Sequence, residues 1–311
     1  AAGSAVFRLS GLAQSEAAAV QVRTNGQNLA VPGQQMYSSY VHVEVVDNDF
    51  AANHFPDDDE GNAYKAMRVT HQADLRYEGP DPGPYRQNYF KETNASADDW
   101  SDLIELCYVL DTTPEANYVE EVNRVLDAEQ WLRLIAVNVL LSNAETTLAN
   151  GNADDYYLYR GFNDTRFVLV QHDLDSIFGM GQTVPQYPVT RDIFLAANIP
   201  TINRFIKHPQ FVPRYYYHLK DLIETTFSRE QMNPFLDELL GGFVPAGRIQ
   251  QMKDFVVQRN AYVLSRIPSA FTINSALPLV NGYRRTTIDT CTLSGTAEVI
   301  AGSRRRPAQL I

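Results

Sequence analysis

A chain of 311 residues with 44% apolar content carries enough hydrophobe for one large domain or two smaller ones. Its formal net charge of −11 argues against a surface built to grip phosphate backbones, so nucleic acid is not an expected partner. No apolar run approaches the roughly 18 residues of a membrane span, and the start at Ala1 lacks the charged and apolar regions of a signal peptide, so no membrane insertion is expected.

Cys107 and Cys291 are the two cysteines, which excludes a disulfide framework or a cysteine zinc site. The histidines, His42, His54, His71, His172, His208 and His218, show no metal-ligand spacing.

Along the chain, residues 20–23, an Asn25-Gly26 turn and the clean period-two alternation of 40–46 predict antiparallel strands. Further strands are expected at 63–69, 73–77 and 89–92, with the Gly- and Pro-rich 79–84 as a loop. From residue 96 the period changes to three and four. Trp100, Leu103, Ile104, Cys107 and Leu110 mark a helix, and acids at its start suit the positive end of the dipole. Asp127 reads as the cap of a helix over 131–141, and Ser228 with Gln231 has capping-box spacing. Amphipathic stretches at 209–226 and 247–266 complete a helical half. After Pro268 short β-like pieces return, with an Asn281-Gly282 turn, a strand expected over 286–293, and a solvated basic tail at Arg304. The expected class is α+β: a sheet-rich part over 1–94, a helical part with a β-hairpin over 95–268, and an incomplete β module or tail over 269–311.

Two polar clusters interrupt an apolar run: Asn143, Glu145, Asn150 and Asn152, then His172, Asp173 and Asp175. Between them 156–159 and 167–170 read as the strands of a hairpin, which would bring the clusters together. Two acids at a strand end are costly without partners or a cation. Phosphoryl transfer needs a carboxylate to orient or deprotonate a hydroxyl, and an amide and carboxylate to hold Mg²⁺ against nucleotide phosphates. Helix, acid-and-amide loop, hairpin, acid is the order of the catalytic half of protein kinases.

With these residues the chain resembles the spore-coat protein H (CotH) family of atypical, kinase-like proteins over roughly residues 5 to 270. The resemblance rests on Tyr-Val-His-Val-Glu-Val-Val-Asp at 40–47, Gly-Asn-Ala-Tyr-Lys at 61–65, the segment 143–159, and His-Asp-Leu-Asp-Ser-Ile-Phe-Gly at 172–179. It implies an atypical protein-kinase-like fold and ATP-dependent phosphorylation of protein Ser/Thr hydroxyls with Mg²⁺ or Mn²⁺. It also implies substrates of coat or surface type, and a place in the spore coat or at the cell surface. By the same resemblance Asp173 matches the metal-binding aspartate, Asp175 is the second acid of that motif, and Asn150 is the second metal ligand. Glu145 falls where the family usually has its catalytic aspartate, with Asp154 or Asp155 as substitutes. Glu44, Lys65 and Asn152 are assigned with Asn150 to the nucleotide site.

Two departures accompany it. Glutamate stands at 145 for aspartate, and the family's leading strand-rich segment with its nucleotide-binding lysine is expected ahead of Ala1, with 6–12 reading as the helix after it. The chain is therefore expected to be a fragment or a shortened relative. The alternatives are a non-catalytic coat or surface scaffold, and adenylyl transfer or glutamylation at the same site. Residue by residue, Glu44 opposite Val41, Val43 and Val45 reads equally as a solvated strand position, and Lys65 as a surface lysine.

Overall fold

The computed structural model describes residues 1–28, 39–181, 184–269, 271–281, 283–287 and 290–297. The chain divides into two compact units, Ala1–Val263 and Leu264–Ile311.

The first unit opens with helix α1 (Ala2–Leu9) and an antiparallel pair, β1 (Ala17–Gln21) and β2 (Ser39–Val43), with Ala17 opposite Val43. Helix α2 (Asn48–His54) starts at Asp47, whose carboxylate accepts the N–H groups of Asp49 and Phe50. Strands β3 (Asn62–Ala66) and β4 (Tyr89–Lys91) precede α3 (Ser101–Thr112), α4 (Tyr118–Val125) and α5 (Ala128–Leu141). The hairpin β5 (Tyr156–Arg160) and β6 (Phe167–Gln171) follows, then α6 (Pro200–Ile206), α7 (Val212–Glu224), α8 (Arg229–Leu240) and α9 (Ala246–Arg266). The mixture of helix and antiparallel sheet is α+β.

Helix α5 is the centre of this unit. Asp127 accepts the Gln130 N–H at 3.1 Å and starts it, and apolar side chains bury it nearly all round, from Trp131 through Ile135 to Leu141. It packs on α7 and β6, and the Trp131 indole donates to the Phe167 carbonyl at 2.9 Å.

The hairpin belongs to a four-stranded antiparallel sheet of order β4-β3-β5-β6, in which Lys65 faces Tyr157 and Tyr157 faces Val170. Its turn is tied by Asp58, whose carboxylate accepts N–H groups from Phe162, Asn163 and Asp164 at 2.7 to 2.8 Å. Gly161 sits so close that an added Cβ would lie 1.9 Å from an Asp58 oxygen. A side chain there would push the turn off its anchor.

Several expected strands differ. Residues 73–77 form no strand: Leu75 adopts φ +59, which breaks the alternation, and the N–H of Tyr77 goes to the Asp111 carboxylate instead of a ladder. The strand expected over 63–69 ends at Ala66, and that over 40–46 ends at Val43. In the second unit, β7 (Phe271–Ser275) pairs with β10 (Leu293–Ala297), and β8 (Leu279–Val280) with β9 (Tyr283–Arg284). The strand thus starts where the one expected over 286–293 was to end, and Asn281, at φ +53, forms the turn between β8 and β9. Gly282 and the tail at Arg304 lie outside the described residues.

The polarity expected of 41–45 is inverted. Val41, Val43 and Val45 are 53%, 46% and 65% exposed, while the Glu44 side chain is 15% exposed and fully engaged.

Candidate functional site

The site begins where α5 ends. Ser142 caps the helix with φ +50, and the chain then folds back on itself before β5. The Thr146 carbonyl accepts the N–H groups of Asp154 and Asp155 at 2.9 and 3.0 Å. The Asp155 carboxylate in return accepts the Thr146 N–H at 3.1 Å and its hydroxyl at 2.6 Å. At the far bend Gly151 has φ +83 and lies so near Leu195 that an added Cβ would come within 2.5 Å of its carbonyl oxygen.

Asp155 is therefore the clamp of the loop. Burial raises its carboxyl pKa, but the interactions with His172 and the bonds from Thr146 outweigh it and hold the group below its ordinary range. Asp154 accepts from the same hydroxyl at 3.2 Å and lies 3.8 Å from Arg68.

The hairpin returns the chain at residue 172 beside this loop. Ala144 N–H donates to the Ser176 carbonyl and Phe178 N–H to the Leu141 carbonyl, each at 2.9 Å, so both segments are stitched together. Asp173 and Phe178 take φ +51 and +56. With Ser142 they put three left-handed non-glycine residues around one spot, the kind of stored strain that accompanies functional sites.

The product is a cluster of acids. One carboxylate oxygen each from Glu145, Asp173 and Asp175 lies within 4.8 Å of the others, and it is the one such group of potential metal ligands among the described residues. The carboxyls of Asp173 and Asp175 are both pushed above their ordinary range, first by burial and then by the neighbouring acids, Glu145 among them. Ser176 and the Asp175 N–H offset part of this through hydrogen bonds at 2.9 Å to Asp175 and 3.3 Å to Asp173.

A hard divalent cation fits this donor set. Metal–oxygen distances of about 2.1 Å for Mg²⁺ or 2.4 Å for Ca²⁺ require ligand oxygens no more than about 4.2 to 4.8 Å apart. Burial and then the neighbouring acids raise two of these carboxyls, and a cation would relieve the repulsion among them.

The remaining sequence-assigned residues fall into two groups. Asn150 lies in the loop itself: its amide nitrogen donates to the Glu145 carbonyl, and its oxygen accepts the Asn152 amide at 2.7 Å, leaving that oxygen a second lone pair. Asn152 in turn accepts from Gln72 at 3.3 Å. His172 touches the edge of the Tyr157 ring and lies 3.5 Å from Asp155. Glu44 and Lys65 lie outside the acid cluster. Glu44 binds the Asn53 amide and His54, both at 2.8 Å, and the Glu16 N–H at 3.0 Å. The Lys65 ammonium lies 5.7 Å from the centre of the Tyr157 ring, and its charge opposes the burial that raises Glu92.

Four residues that carry the site escape the sequence reading: Asn138, Gln171, Arg191 and Arg259. Arg259 is fully buried on α9 and donates to the carbonyls of Val139, Val189 and Arg191 at 3.0, 2.7 and 2.7 Å. It thereby ties the segment after the acids to the end of α5. Arg191 donates to the Asn143 carbonyl at 2.6 Å. For Asn138 and Gln171 the available signal was a single polar residue in an apolar stretch, and Arg191 and Arg259 offered none.

The family model for the CotH kinase protein matches residues 4–254, which takes in both acid-bearing segments and the whole four-stranded sheet. The chain belongs to the CotH family. This CotH chain is also similar to inner spore coat protein H of Bacillus subtilis (strain 168), at 25% identity over 147 residues. That alignment covers 47% of the chain and 38% of the relative, so the chain matches well under half of that protein's length.

Proposed function

We propose that this CotH-family chain is the catalytic part of an atypical protein kinase that transfers the γ-phosphoryl group of Mg-ATP to a protein Ser or Thr hydroxyl. The observation that carries the reading is the convergence of Glu145, Asp173 and Asp175 within 4.8 Å. The succession of α5, acid loop, hairpin and second acid loop supports a kinase-like fold. Asp173 and Asp175, with the free lone pair of Asn150, would hold the metal. A bound Mg²⁺ neutralises charge on the nucleotide phosphates and so favours transfer.

Glu145 orients the acceptor hydroxyl and takes its proton as the hydroxyl oxygen bonds to the γ-phosphorus. The bond from that phosphorus to the bridging oxygen breaks, and ADP leaves with the electron pair. Asp155 holds the loop that carries Glu145 and is not the base, because Thr146 occupies its carboxylate. Asn152, Lys65 and Glu44 serve the nucleotide side of the site, Glu44 by holding β1, β2 and α2 together. A coat or surface protein is the expected acceptor, consistent with the coat protein named above.

One observation favours a second reading, a non-catalytic coat scaffold: glutamate at 145 in place of the family's usual aspartate, whose longer side chain moves the carboxylate by about one bond length.

Purified chain incubated with Mg-ATP or Mn-ATP and a serine-rich acceptor, beside Asp173→Ala, separates the readings by intact mass. A phosphoryl increment absent in the variant supports the kinase. A folded wild-type chain that adds no mass to any acceptor supports the scaffold, and an adenylyl increment would name a different transferred group.

A further inference from the structure

Asn143 is 3% exposed and spends every polar atom on the two acid-bearing segments and their supports. Its side-chain oxygen accepts the Glu145 N–H at 3.1 Å, and its side-chain nitrogen donates to the Asp173 carbonyl at 3.3 Å. One amide thus touches the backbone of both acids. Its own N–H reaches the Asn138 carbonyl at 3.0 Å, and its carbonyl receives Arg191 at 2.6 Å.

Behind it stands a chain of buried amides. Asn143 donates to the Asn138 side-chain oxygen at 3.0 Å, and Asn138 donates to Gln171 at 2.8 Å and to the Leu134 carbonyl at 3.2 Å. Gln171 donates to the Asp155 carbonyl at 2.8 Å, and Gln14 meets the backbone of Gln171 from both sides, at 2.8 and 3.2 Å. Gln14, Asn138 and Gln171 are 2%, 1% and 2% exposed.

Asn138 lies in the otherwise apolar middle of α5, between Val137 and Val139. Asparagine is a poor helix residue and leucine would bury more apolar surface there. A buried polar network that costs packing is fully satisfied here, and such networks fix one geometry. Here that geometry is the spacing of the acids.

We infer that Asn143 is a positioning residue that sets the separation of Glu145 from Asp173 and Asp175, held in place by the buried amide chain of Asn138, Gln171 and Gln14. The inference rests on the reading of Asp173 and Asp175 as metal ligands, the first of which Asn143 holds through its backbone carbonyl. Partners that orient metal ligands change affinity by about 10- to 100-fold when removed.

The test is Mn²⁺ binding in the absence of nucleotide, followed by electron paramagnetic resonance on the whole chain well below its melting temperature. Four proteins are compared: wild type, Asn143→Ala, Asn138→Leu and Leu103→Ala, the last a core truncation in α3 remote from the loops. Mn²⁺ affinity should fall at least about 10-fold in Asn143→Ala, and by a smaller factor in Asn138→Leu, which leaves the Asn143 side chain in place. It should hold in Leu103→Ala despite a lowered melting temperature. Wild-type affinity in Asn143→Ala, or in Asn138→Leu where Asn143→Ala does not fold, overturns the positioning role. An equal loss in Leu103→Ala overturns it too, because general loosening then accounts for the effect. Failure of the wild-type chain to bind Mn²⁺ instead overturns the metal-site reading itself and this inference with it.

Discussion

The carboxylates of Glu145 and Asp173 come within 4.8 Å of each other although a complete β-hairpin separates them in the chain. Neutralising one of them should therefore stabilise the metal-free fold. At that distance the repulsion between two solvated charges is about 1 kcal/mol. Asp173→Asn should raise the metal-free unfolding free energy by up to about that much, measured by urea titration. It should also abolish the rise in melting temperature that millimolar Mn²⁺ or Mg²⁺ gives the wild type, a rise that EDTA reverses. A variant less stable than wild type without metal would contradict the charge cluster.

Closure of the loop depends on the Thr146 hydroxyl. In Thr146→Val the shape is kept, but Asp155 loses its 2.6 Å hydrogen bond, at a cost of about 1 to 3 kcal/mol. Thr146→Ser should stay near wild type. Equal stability of the valine and serine variants in denaturant titration would remove the hydroxyl from the account.

Arg259→Met deletes the donor for three carbonyls, those of Val139, Val189 and Arg191. The expected loss is about 3 kcal/mol or more, read as a lower denaturation midpoint. Limited proteolysis should then cut first near residue 189. First cleavage elsewhere would show that Arg259 is not what holds that segment.

Glu44 supplies the pH dependence. Burial raises its carboxyl, but the Glu16 N–H, the Asn53 amide and His54 outweigh that, and the folded value lies below the ordinary 4.5. A depressed folded pKa means that its contribution is complete above about 4.5 and is lost as pH falls through the folded value. The stability gap between wild type and Glu44→Gln should close progressively as pH falls below 4.5. A gap that is flat down to acid unfolding would refute the assignment.

Much of this arrangement was legible in the sequence because its signals are local. Asp127 caps α5 as its position before an apolar run predicts, and the apolar runs at 156–159 and 167–170 around a turn give the hairpin that joins the acid segments. What stayed hidden depends on partners distant in the chain. The sequence left Glu44 open between a nucleotide-site residue and a solvated strand position, because period two reports only that it alternates with valines. Which face is buried was decided by Glu16, Asn53 and His54. Leu75 gave no hint of its left-handed backbone. Asn138 and Gln171 each look like a single polar residue in an apolar stretch, and only the fold reveals that they bond to each other.

The most direct measurement uses ATP labelled at the γ- or the α-phosphate, given in separate reactions to wild type, Glu145→Gln and Asp173→Ala with one serine-rich acceptor. The account predicts acid-stable label on acceptor serine or threonine from γ-labelled ATP alone, in the wild type and in neither variant. Label transferred from the α-phosphate, or undiminished γ-label with both variants, would contradict it.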